Sequence, residues 1–237
     1  MKYQTYIFDL DGTLLDTLGD LAASVNYALR THGLPEHSLD DVRRFVGNGV
    51  RKLMERAVPD GDAHPEFEAV FATFRQYYMA HSLDTTRPYD GIPETLEALR
   101  ARGCRLAVVS NKMMAATQAL CRHFFPDTIE VAIGEDEAAG IRRKPAPDTV
   151  IAAIRELDDI SLTIPEHSSP TRSLSHHSPL TSKSSAVYVG DSDVDIETAR
   201  NAGLPCISVL WGFRDRDFLI QHGAKNFVSA PSELIQL

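Results

Sequence analysis

Five short runs of β-branched, aromatic and small apolar residues constrain this chain more than anything else in it. They are Tyr6-Ile7-Phe8, Leu106-Ala107-Val108-Val109, Val131-Ala132-Ile133, Ala186-Val187-Tyr188-Val189 and Cys206-Ile207-Ser208-Val209. The runs are nearly continuous in polarity rather than alternating, which is the pattern of strands covered on both faces of a parallel sheet. Parallel neighbours need crossover connections, and helical patterns lie between the runs. Pro93 precedes Leu96 and Leu99, and Pro147 precedes Val150, Ile151 and Ile154, each proline standing in a first turn ahead of an apolar stripe. The expected fold is a doubly wound α/β layer structure.

The alternation stops between Thr17 and Ser82. That stretch holds only helical stripes: Leu18, Leu21, Ala22, Val25 and Leu29; Val42, Phe45 and Val46; Leu53, Met54 and Ala57; Phe67, Val70, Phe71, Phe74 and Tyr78. Residues 17–82 are therefore expected to form a small four-helix unit. It leaves the main domain (1–16 and 83–237) after the first strand and returns near Pro88-Tyr89-Asp90-Gly91. This places it above the carboxyl edge of the sheet, where α/β folds hold their ligands. Pro165 to Ser185, rich in Ser, Thr, Pro and His, has no apolar period and reads as a flexible insertion loop. Its His167, His176 and His177 lack metal-ligand spacing.

Charge narrows the partners. With 24 basic and 33 acidic side chains the net charge is -9, so no broad positive field attracts nucleic acid or an anionic membrane. No apolar run approaches the ~18 residues of a membrane span, the N-terminus lacks a signal-peptide core, and a cytoplasmic location is expected. Cys104, Cys121 and Cys206 are scattered without CxxC spacing and read as small core residues.

Chemistry concentrates where the strands end. Phe8-Asp9-Leu10-Asp11-Gly12-Thr13 closes the first strand with two carboxylates whose spacing puts both on one side of an extended backbone. Gly190-Asp191-Ser192-Asp193-Val194-Asp195 closes the fourth run in the same way. Gathered at one edge, Asp9, Asp11, Asp191 and Asp195 must raise one another's pKa or take up a cation, and an all-oxygen set suits Mg²⁺. The anion-binding counterpart is Ser110-Asn111-Lys112 at the end of the second run, together with Lys144-Pro145-Ala146-Pro147. There a hydroxyl, exposed amides and a lysine on a stiff segment can hold phosphate oxygens.

These four segments resemble the four motifs of the haloacid dehalogenase superfamily, DxDGT, S/T-N, K-P-x-P and GDSxxD, and within it the phosphoglycolate phosphatase branch. The resemblance spans nearly the whole chain, and Phe45-Val46-Gly47-Asn48-Gly49 and Leu53-Met54-Glu55-Arg56-Ala57 extend it into the helical unit. It implies a Rossmann-like core with a helical cap and Mg-dependent hydrolysis of a phosphomonoester, 2-phosphoglycolate first among candidates. Asp9 would be the nucleophile that becomes an aspartyl-phosphate, and Asp11 the general acid and base. Ser110, Asn111 and Lys144 would hold the phosphoryl oxygens. Mg²⁺ would be bound by the Asp9 carboxylate, the Asp11 carbonyl and Asp191, with Asp195 in or near the outer shell. Gly47, Asn48 and Gly49 would face the substrate, and Arg51 or Lys52 beside them would reach a substrate carboxylate. Asp16 is expected to cap the first helix of the unit.

Other activities fit the same core motifs. A sugar-phosphate phosphatase, a pyrophosphatase or a β-phosphoglucomutase would share them, although Thr17-Leu18-Gly19-Asp20 lacks the histidine usual in the mutases. A non-catalytic sensor of a phosphometabolite is the alternative outside enzymology. The partner expected is a small phosphorylated metabolite, and the chain is expected to be a monomer or homodimer.

Overall fold

The computed structural model describes residues 2–163 and 185–237. Six parallel strands form the sheet: β1 (Thr5–Phe8), β4 (Arg105–Met113), β5 (Val131–Glu135), β6 (Ala186–Gly190), β7 (Cys206–Val209) and β8 (Phe227–Val228), in spatial order β5-β4-β1-β6-β7-β8. β1 is central, and its side chains show why an unbroken apolar run was needed. Tyr6 and Phe8 join one buried cluster and Ile7 the other, so both faces are covered. Leu96 and Leu99 of α5 (Ile92–Ala101) and Leu120 of α6 (Met114–Phe124) pack on the first face. Val150, Ala153 and Leu157 of α7 (Asp148–Thr163) and Ala199 and Ala202 of α8 (Asp193–Ala202) cover the second.

The stretch between β1 and β4 holds α1 (Leu18–Thr31), α2 (Leu39–Phe45), α3 (Val50–Ala57) and α4 (Phe67–His81). These helices bury Leu21, Val25, Leu29, Val42, Leu53, Met54, Val70 and Phe74 in a cluster of their own. The 3.6-residue stripes of the sequence supply that face. α2 starts with a capping box in which the Ser38 hydroxyl accepts from Asp41 N–H and the Asp41 carboxylate accepts from Ser38 N–H.

Periodicity missed the short elements. β2 (Leu15–Asp16) and β3 (Arg87–Pro88) form a two-stranded antiparallel ribbon at the crossing to and from the helical unit, and β8 has only two residues. Two residues carry no readable period. Asp16 sits in this ribbon; the N-cap of α1 is Thr17, although Leu18 N–H does donate to the Asp16 carboxylate at 3.3 Å. β4 runs on through Met113 instead of ending before Ser110, with a register irregularity between Val109 and Met113. The expected loop from Pro165 lies outside the described residues apart from Ser185, whose carbonyl accepts from Gln4 N–H.

A second device joins the two parts beside the ribbon. Asp20, in the first turn of α1, is buried and accepts from the N–H and hydroxyl of both Thr85 and Thr86 on the returning chain. Four neutral donors compensate its desolvation, and the cost of burying the charge is thereby turned into a cross-tie.

Candidate active site

Parallel strands deliver their carboxyl ends to one edge, and there Asp9 and Asp191 follow β1 and β6 directly. Gly12 lets them close up. Its φ of 85° lies in the left-handed region, and a Cβ there would stand 2.4 Å from an Asp191 carboxylate oxygen. Carboxylate oxygens of Asp9, Asp191 and Asp195 come within 4.8 Å of one another, all buried.

The three are not equivalent. Asp195 is the acidic partner in the capping box of α8: one oxygen accepts from Ser192 N–H, Ser192 Oγ and Asp191 N–H. Its other oxygen accepts from Lys144 Nζ at 2.8 Å and Tyr188 OH at 2.8 Å. With both oxygens engaged by protein donors, Asp195 anchors Lys144. Asp191 keeps more freedom, with Phe213 N–H at 2.6 Å on one oxygen and Thr13 Oγ1 at 3.5 Å from the other. Lys144 Nζ donates to Asp9 at 2.6 Å. The Asp11 carboxylate stands outside the cluster and faces Lys112 Nζ at 3.2 Å.

Charge balance sets the chemistry of this pocket. One ammonium, Lys144, opposes three carboxylates. Burial first, then Asp195, pushes Asp191 up to about 7, and burial with Asp195 raises Asp9 well above the carboxylate range despite Lys144. Burial alone would lower the Lys144 pKa, but Asp195 and Asp9 more than offset that and hold it above its ordinary value. The donor set is all oxygen, crowded and short of positive charge, and so fits a hard divalent cation; the carboxylates of Asp9 and Asp191 would hold it.

The Asn111 side chain joins two motifs. Its side-chain amide donates to the Lys144 carbonyl at 3.1 Å and accepts from Lys144 N–H at 2.6 Å, so the second motif fixes the backbone of the third. Ser110 is buried, and its hydroxyl accepts from Lys112 N–H at 3.2 Å. Both line a cavity of about 80 Å³ with Asp9, Asp11, Lys144 and Asp191, and the helical unit closes it with Leu21, Gly47, Asn48, Gly49 and Leu53. Arg56 fixes that loop through the Phe45 and Gly47 carbonyls and Asn48 Oδ1. Arg51 and Lys52 do not reach the cavity. Arg51 pairs with Glu68 and lies over the Phe67 ring, and Lys52 pairs with Glu55.

Sequence reasoning gave no role to four residues here. Lys112 stands at the end of the second motif, and Tyr188 lies within an apolar run. Phe213 and Arg214 follow β7 at the same sheet edge, which was the available signal. Phe213 ties Asp191 to the core of the helical unit, and Arg214 donates to the carbonyls of Arg43, Arg44 and Val46 at the end of α2.

The sequence pattern of haloacid dehalogenase-like hydrolases matches residues 6–209, from β1 to the end of β7. The chain belongs to that family. This haloacid dehalogenase-like hydrolase is 31% identical to a phosphoglycolate phosphatase of Aquifex aeolicus, over 98% of its own length and 94% of the relative's. It is 30% identical to an N-acetylmuramic acid 6-phosphate phosphatase of Pseudomonas aeruginosa, covering 100% of the chain and 95% of that protein. A solved structure from Lactobacillus delbrueckii subsp. bulgaricus, provisionally named a phosphoglycolate phosphatase, superposes with a TM-score of 0.85 at 34% identity, over 100% of this chain and 98% of that one. The hydrolase is a phosphatase. Among its described residues no helix is long and apolar enough to cross a membrane.

Proposed function

We propose that this phosphatase hydrolyses 2-phosphoglycolate with Mg²⁺ through an aspartyl-phosphate on Asp9. The observation that carries the reading is the buried carboxylate cluster, held by one lysine and opening onto a cavity whose far wall is the helical unit. Mg²⁺ on Asp9, Asp191 and the Asp11 carbonyl would supply the positive charge the pocket lacks and neutralise the incoming phosphate. Asp9 attacks phosphorus. Asp11 protonates the departing oxygen, then takes a proton from the hydrolytic water. Lys144, fixed by Asp195 and Asn111, holds a phosphoryl oxygen with Ser110. The four helices serve as a cap that excludes bulk water.

Of the two acids in the relatives' names, phosphoglycolate is the one shared by the Aquifex relative and by the Lactobacillus structure that is similar over the whole chain. The test is a panel of phosphate esters assayed with Mg²⁺ and with EDTA, with acid-quench trapping of the phosphoenzyme. Phosphate recovered on a peptide containing Asp9 supports the mechanism; metal-independent turnover or label elsewhere overturns it.

A further inference from the structure

Two cations line the cavity, Lys144 and Lys112. Lys144 is committed to the reaction centre by Asp9 and Asp195. The helical unit contributes to the wall only apolar side chains and the Gly47-Asn48-Gly49 loop, and its nearby Arg51, Lys52 and Arg56 are engaged elsewhere. A substrate carrying a second negative charge thus meets one cation beyond those that hold its phosphate.

Lys112 is built for a ligand. It is buried, and its ammonium donates to Tyr78 OH at 2.6 Å, which ties β4 to α4 of the helical unit. On another side it faces Asp11 at 3.2 Å, out of line for a hydrogen bond, so that the buried Asp11 Oδ1 has a charge partner but no donor aimed at it. An ammonium has three N–H groups, of which one is given to Tyr78, and Lys112 lines the cavity. The long stem is covered, so the position of the charge is defined rather than swept about in solvent.

We propose that Lys112, anchored by Tyr78, is the specificity-determining receptor for a carboxylate one carbon from the ester oxygen, making phosphate monoesters of short hydroxy acids the substrate class. Resting on the phosphatase reading above, this follows from connectivity. The ester oxygen must lie beside Asp11 to receive its proton, and whatever the adjoining carbon carries then lies beside the partner of Asp11. A buried, charge-assisted contact of this kind discriminates strongly against a neutral isostere.

The test compares 2-phosphoglycolate with 2-hydroxyethyl phosphate, which has a neutral hydroxymethyl in place of the carboxylate. Wild type should favour the acid at least thirtyfold in kcat/KM. Lys112→Met should lower kcat/KM for both esters, because Asp11 loses its charge partner, but by about 30-fold more for 2-phosphoglycolate than for 2-hydroxyethyl phosphate, the excess falling mostly on KM. Tyr78→Phe should give a milder loss with the same selectivity. Equal turnover of the two esters by wild type, an outcome that needs no folded variant, or equal losses in Lys112→Met, overturns the assignment. A second pair, 3-phosphoglycerate against glycerol 3-phosphate, separates the two proposals. Charge selectivity confined to that pair moves the carboxylate one carbon further out, which overturns the stated spacing, whereas absence of 2-phosphoglycolate turnover defeats the proposed substrate. Hydrolysis of none of the four esters defeats both proposals.

Discussion

Asp20 and Asp191 are both buried aspartates on the border between the sheet and the helical unit, and they are treated in opposite ways. Asp20 is surrounded by four neutral donors from Thr85 and Thr86 and has no carboxylate neighbour in the acidic cluster. Asp191 shares its space with Asp9 and Asp195, and its pKa rises to about 7. A charge saturated by protein donors is architecture. A charge left short of donors among others of its sign is a place where a cation and a reaction can enter.

The sharpest break of this comparison comes at Asp9. Asp9→Asn should lower kcat by at least about 10³-fold with the melting temperature held or raised, since it removes a nucleophile and one of three crowded charges. Near-normal turnover ends the covalent scheme. Asp20→Ala should act in the other sense, costing about 2–4 kcal/mol in urea unfolding, because four buried donors lose their acceptor, while metal affinity measured by calorimetry stays within about threefold. A large loss of metal affinity would show that the two carboxylates are not separate in function.

The smallest effect expected is a matter of pH. Asp191 titrates near 7 when folded and near the ordinary ~3.9 when unfolded. Between those values the folded state binds the extra proton, so without metal the stability falls as pH rises through that window. A divalent cation binds the ionised form, and Mg²⁺ should therefore raise the melting temperature by several degrees more at pH 8 than at pH 5. Equal shifts at both pH values would remove Asp191 from the metal site.

The local code of this chain is legible because it is short-range. Apolar runs announce strands, stripes announce helices, and carboxylates at strand ends announce a reactive edge, each within a window of about ten residues. So the α/β core, the four-helix stretch and the segments carrying Asp9, Ser110, Lys144 and Asp191 could be read in order, whereas two-residue strands such as β2 and β3 could not. Asp195 shows where that reading stopped. Its spacing from Asp191 marks it as part of the acidic cluster, but only its five donors reveal that both oxygens are already spoken for.

What the sequence determined by itself is which residue types stand at the carboxyl ends of which strands, because backbone geometry and burial impose that pattern locally. Tertiary structure alone decided how charge is shared out at that edge. Thr13 and Asp191 are 178 positions apart, Lys112 turns to Tyr78 on a helix 34 positions earlier, and Asn111 grips the backbone of Lys144 33 positions on. Whether a buried charge is quenched or left open depends on partners that only folding brings within 3 Å or so, where electrostatic energy is steepest.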